Sequence, residues 1–160
     1  MEQLIEAILA ALEAAGITAA RQFPAGRLPH LTAPVTAVGL KAAKASDGTM
    51  FSYLGKTVRN EEELELYGRE LEAEIFLETF CPRRLGAENC MQQTNAIVQL
   101  LSEPVNGVSL TEFTVGGCGF DELADAFTMT VTADVRAYLY ALSEEDGTEF
   151  TDFILKGEVI

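Results

Sequence analysis

The run from Asp125 to Leu142 constrains this chain more than any other stretch. Phe127, Met129, Val131, Val135 and Leu139 occupy odd positions, with Ala133, Ala137 and Ala141 between them. Thr128, Thr130, Thr132, Asp134, Arg136 and Tyr138 occupy even ones. Strand side chains alternate between two faces, so this pattern puts one apolar face on a core and one polar face outward. As a helix, the same apolar set would wrap around the whole cylinder. The run is about three times the usual strand length of roughly 5–6 residues. It must therefore cross the domain and continue as a hairpin arm, or bend midway, with Ala133-Asp134 the expected bend. Asp146-Gly147 then separates it from a second strand-like run, Phe150 to Val159, so the C-terminus reads as a β-hairpin.

Other elements can be set around this strand. Leu4, Ile5, Ile8, Leu9 and Leu12 form one helical stripe over residues 2–15, and Gly16 is a natural C-cap. Pro24, Gly26, Pro29 and Pro34 make residues 17–34 loop or short edge strand. Val35 to Leu40 reads as a strand, Ser46 to Thr49 as a turn, and Met50 to Leu54 as a short partner strand. Residues 55–69 are open between a capped helical turn (Asn60 with Glu63) and an acidic loop. Glu70 to Cys81 is a second clear strand. Leu71, Ala73, Ile75 and Leu77 face one way; Glu70, Glu72, Glu74 and Glu78 face the other, with Phe76 and Phe80 on the Glu side. Residues 86–102 form a second helix with the stripe Ala87, Cys90, Met91, Thr94, Ile97, Val98 and Leu101. Val108 to Val115 is a strand and Gly116 to Gly119 a turn. The order contains no repeating βαβ unit, so the expectation is an α+β fold. It would have a mainly antiparallel, mixed sheet, two helices packed on one face, and the C-terminal hairpin. At 160 residues this is one domain, 1–160.

Eleven basic against 25 acidic residues give a net charge of -14. Affinity for phosphate backbones comes from Lys and Arg displacing counterions, so tight nucleic-acid binding is disfavoured. No apolar run is long enough to span a membrane. The N-terminal stretch carries Glu2, Glu6 and Glu13 instead of a basic leader, which reads as a protein intracellular when made. The three cysteines, Cys81, Cys90 and Cys118, contain no CxxC pair, so neither a disulfide framework nor a zinc knuckle is indicated.

Candidate chemistry is sparse. Cys118 with His30, the single histidine, could form a catalytic dyad only if the fold brought them together; a tight turn and a surface histidine are the plainer reading. Gly116-Gly-Cys-Gly119 lacks the Lys-Ser/Thr of a phosphate loop. Asp121, Glu122 and Asp125 lack the alternating oxygen ligands of a calcium loop, and read as a solvated acidic turn. No catalytic residue, metal ligand or cofactor is expected. Glu70, Glu72, Glu74 and Glu78 form a candidate acidic surface row, one that a DNA strand could slide past without adhering. Phe76, Phe80, Tyr138 and Tyr140 are aromatics on otherwise polar faces. They either pack beneath a loop or mark a subunit contact.

Certain stretches resemble a known family. They are LPHLTAPVTAVGL (28–40), YGRELEAEIFLETFCP (67–82), VSLTEFTVGGCGFDELAD (108–125) and the Thr/Val strand that follows. In this order, after an amphipathic helix, they resemble the tail-terminator (tail-completion) proteins of long-tailed bacteriophages and prophages, including the lambda-type terminator. The resemblance covers about residues 1–142, and the 143–160 hairpin lies outside it. It implies a non-enzymatic homo-oligomer, typically a hexameric ring. Such a ring caps the tail tube, meets neck proteins and lets DNA pass, in the bacterial cytoplasm during assembly and then in the virion tail. Two alternatives remain: another head–tail joining, neck or minor tail protein, and a small enzyme or ligand-binding α+β domain with a pocket near Cys118.

Overall fold

The computed structural model describes residues 2–23, 30–47, 53–59, 62–103, 108–142 and 153–156. Its spine is a pair of long antiparallel strands, β4 (Glu62–Pro82) and β7 (Ala126–Leu142). They pair without a break from Leu66 opposite Leu142 to Pro82 opposite Ala126. Seventeen residues at ~3.4 Å each make this ladder about 55 Å long. The alternation along 125–142 is satisfied by crossing the whole domain in one register.

Each edge of the spine carries consecutive shorter strands. β2 (Val35–Asp47) and β3 (Tyr53–Arg59) pair with β4, while β5 (Ser109–Val115), β6 (Gly119–Asp121) and β8 (Phe153–Lys156) pair with β7, all antiparallel. β1 (Ala19–Arg21) adds to β2 in parallel, so the sheet is mixed. Residues 55–59 and 62–69 are strand: β3 and the start of β4 form an antiparallel pair there, and Asn60, where a capped turn is expected, lies outside the described residues. The signal was Glu63-Leu-Glu-Leu66, a period-2 alternation in which a strand-forming residue follows each charge. β2 also runs through Asp47, past the turn expected at Ser46.

Two β-bulges fall at the same level. The β2–β4 register shifts at Lys41, opposite Ile75/Glu74, and the β5–β7 register shifts at Thr111, opposite Val135/Asp134. Glu74 and Asp134 face each other on the spine. A bulge bends and twists its strand, so the flanks turn here while the spine stays continuous. β7 itself pairs with β4 through Ala133-Asp134 without a register shift, so of the two alternatives it is the crossing that holds, and the bulges fall in β2 and β5.

α1 (Glu2–Ala14) and α2 (Gly86–Leu101) pack on one face of this sheet. α1 buries Leu4, Ile8, Leu9 and Leu12. It closes on Gly16 at φ 76°, where Gly16 N donates to Glu13 O and Ile17 N to Leu12 O, both at 2.9 Å. These two bonds satisfy the last carbonyls of the helix in a Schellman arrangement, and the left-handed φ is why glycine sits there. α2 buries Cys90, Thr94, Ile97 and Leu101; Met91, placed on the same stripe from the sequence, is 50% exposed. Beneath the helices lie Val38, Ala73, Ile75, Leu77, Val131, Ala133 and Val135. These are the alternate residues of β2, β4 and β7, so the fold is α+β with both helices on the apolar face. β8 supplies the second strand of the C-terminal hairpin, pairing Tyr138 with Lys156 through Ala141 with Phe153. Its turn, with Asp146-Gly147, lies outside the described residues.

Candidate functional site: the outer face of the sheet

The face opposite the helices carries the even residues of β4 and β7. No described helix or strand lies over it. In register order, Glu70 faces Tyr138, Glu72 faces Arg136, Glu74 faces Asp134, Phe76 faces Thr132, Glu78 faces Thr130 and Phe80 faces Thr128. The glutamate row is therefore real as geometry, and it is interleaved with cations that the sequence pattern did not pair with it. Arg136 Nε sits 2.7 Å from Glu70 Oε1, and Arg136 Nη2 sits 3.6 Å from Glu72 Oε1. The Nε contact is an ion pair without hydrogen-bond alignment. Lys41, the extra residue of the β2 bulge, donates from Nζ to Glu74 Oε1 at 2.6 Å. Bulging on one strand thus aims a cation at a row on its neighbour. On the other edge, the bulged Thr111 donates from Oγ1 to Asp134 O at 3.2 Å.

These cations offset repulsion between Glu70, Glu72 and Glu74. Glu78 stands apart. Burial, and next the charge of Asp121, raise its carboxyl above the ordinary value. At the bulged level lies a hollow of about 400 Å³. Lys44, Glu72, Glu74, Asp134 and Arg136 are among its lining residues. It is an open depression in which these charged groups stand beside Ala42, Ala43, Ala73 and Val135.

The four aromatics separate. Phe80 is only 5% exposed. It packs with Ala37 and Ala126 beneath Phe23, Leu31 and Ala124, with Phe23 edge-on at 5.9 Å. It therefore offers no surface contact, which corrects its place among the interface candidates: the loop covers it. Phe76 is half-buried and lies over Gly39, its partner on β2. Tyr138 is half-buried between Glu70 and Lys156 in the register. The Tyr140 side chain lies outside the described residues, though its backbone pairs with Gly68 and Ile154.

The remaining candidates fall elsewhere. Cys118 is exposed, and its thiol reaches the Gly119 carbonyl at 3.8 Å. His30 lines a hollow of about 310 Å³ with Thr32, Arg83, Arg84 and Asp125; Cys118 is not among its lining residues. Asp121 Oδ1 accepts from Leu123 N and Ala124 N at 2.8 and 3.1 Å, which folds the β6–β7 turn. Asp125, at φ 47°, pairs with Arg83. These acidic residues thus shape the turn. Among the described residues no group of three His, Cys, Asp or Glu could hold a metal ion, and no helix is long and apolar enough to cross a membrane.

No protein-family model and no curated protein matches this chain.

Proposed function

We propose that this protein is a structural, ring-forming component of a phage or prophage tail. In this reading it caps the tail tube and joins it to the neck through protein–protein contacts. The observation that carries the reading is the helix-free outer face. Along the spine it presents Glu70, Glu72 and Glu74 beside Phe76 and Tyr138, with no described element over them. A closed ring forms when one surface patch meets a different patch on the next copy and the rotation closes. Phe76 and Tyr138 are the aromatic contacts such a patch would use. Among the described residues β3 pairs only with β4 and β8 only with β7, and a neighbour could add a strand at such an edge. The acidic row, in a chain of net charge -14, suits a passage that lets DNA through without holding it. The bacterial cytoplasm during assembly and the virion tail are the locations this function requires.

The test is light scattering on a sizing column at rising concentration, alone and with assembled tail tubes, followed by negative-stain imaging. Rings with a central hole about one DNA duplex wide, free or seated on tube ends, support the reading. A monomer at every concentration that also leaves tube ends bare overturns it. Deleting residues 143–160 should reduce ring formation; unchanged assembly removes β8 from the contact.

A further inference from the structure

Three cysteines far apart in sequence meet at one corner of the apolar face. Cys81 lies at the end of β4, Cys90 in α2 and Cys118 in the link between β5 and β6. Cys90 Sγ lies 3.8 Å from Thr79 O and 3.6 Å from Phe127 O. Those contacts fix it over the rungs that pair Thr79 with Met129 and Cys81 with Phe127. Cys81, Cys90 and Met129 form one buried cluster, with Phe127 against it.

Cys118 arrives from the other side of β7. Gly116 N donates to Thr130 O at 2.8 Å and Gly119 pairs with Thr128, which sets Gly117 and Cys118 together across from Met129. Phe120, two residues on, stacks against Phe127 at 5.1 Å, at the rung over which Cys90 sits. Cys90 has both other thiols as neighbours. Burial, with the Cys81 and Cys118 thiols adding to it, pushes its thiol up to about 12.

The three differ in access. Cys81 and Cys90 are buried, while Cys118 is exposed in a stretch, 111–120, whose residues are all exposed. A reagent in solvent therefore meets Cys118 first, and Cys90 is protected from direct attack. An exposed thiol backed by a buried one is the arrangement of an attacking and a resolving cysteine.

We propose that Cys118 and Cys90 form an oxidation-dependent disulfide, with a low-molecular-weight disulfide such as glutathione disulfide as the oxidant. The Cys118 thiolate attacks one sulfur of the oxidant. A mixed disulfide forms and one glutathione thiolate leaves. Cys90 then attacks the Cys118 sulfur, the protein disulfide forms, and the second glutathione departs with the Cys90 proton. Two protein thiols are oxidised and one glutathione disulfide is reduced to two glutathione molecules. Cys81 stays reduced. The product ties the Gly116–Gly119 turn to α2, and it does not depend on the assembly reading above.

The folded full chain is treated with glutathione disulfide, quenched in acid with an alkylating agent, and read by intact mass and peptide mapping. The expected product is lighter by two hydrogens, joins the Cys90 and Cys118 peptides, and carries the alkyl label on Cys81 alone. Cys118→Ser should leave the mass unchanged. Cys90→Ser should trap one glutathione on Cys118. A glutathione adduct that persists on Cys118 in the unaltered chain overturns the proposal. So does a Cys81–Cys90 bond, or a Cys118 that stays unmodified while the denatured chain reacts. Should Cys90→Ser fail to fold, the peptide map of the unaltered chain decides.

Discussion

The contact between Phe76 and Gly39 is the part of the outer face whose energetics can be worked out most fully. A Cβ added at Gly39 would lie 2.2 Å from Phe76 Cζ and 2.6 Å from its Cε1. Carbon atoms pack at about 3.5–4.0 Å, so the ring would have to retreat by more than ~1 Å. Phe76 is half-buried on an uncovered face and can swing outward. Gly39→Ala should therefore cost about 1–3 kcal/mol as overpacking and lost ring contact. Phe76→Ala alone uncovers the glycine and should cost about 1 kcal/mol, since full burial of such a side chain is worth ~1.5–3 kcal/mol. Once the ring is gone the clash is gone. Ala in a strand interior outranks Gly by roughly 0.5–1 kcal/mol, so Gly39→Ala should then stabilise. The two changes should couple by about 2–3 kcal/mol. Urea unfolding of the four proteins gives the cycle, and thermal melts should move by roughly 2–4 °C per kcal/mol for a chain of this size. If Gly39→Ala costs as much without Phe76 as with it, the ring is not what requires a glycine at 39.

Two further outcomes follow from the charges. Glu78 has a raised carboxyl pKa in the folded state, so its ionised form costs stability above that pKa, and the cost disappears as pH falls below the unfolded value of about 4.3. Glu78→Gln should thus raise the melting temperature at neutral pH and leave it unchanged near pH ~4; a gain of equal size at both would show that charge is not the cause. Arg136→Ala removes the cation shared by Glu70 and Glu72. The half-exposed pairs predict a loss of about 1 kcal/mol at low salt that shrinks toward about 0.5 M salt. A loss indifferent to salt would mean that the arginine stem matters by packing.

Residues 125–142 and 70–81 carried their fold in the sequence, because strict alternation on a strand leaves one choice of face. The helical stripes of α1 and α2 did the same, and Gly16 was legible because a left-handed helix end favours glycine. The strand pair at 55–59 and 62–69 was not legible, because the glutamates obscure a short alternation. The acidic row was also visible as a row. Its neutralisation was not, since Lys41 and Arg136 reach it only through a bulge and a cross-strand register.

The sequence alone thus determined which residues share a face, because that depends on local period and on nothing distant. Tertiary structure decided what each face meets. Phe76 and Phe80 look equivalent along the strand, yet one lies over a glycine and the other is sealed beneath Phe23 and Leu31. Cys81, Cys90 and Cys118 have no meaningful spacing in the chain. They converge only because the β4–β7 register and the docking of α2 fix their three positions, and both are set by packing energy summed over the whole core.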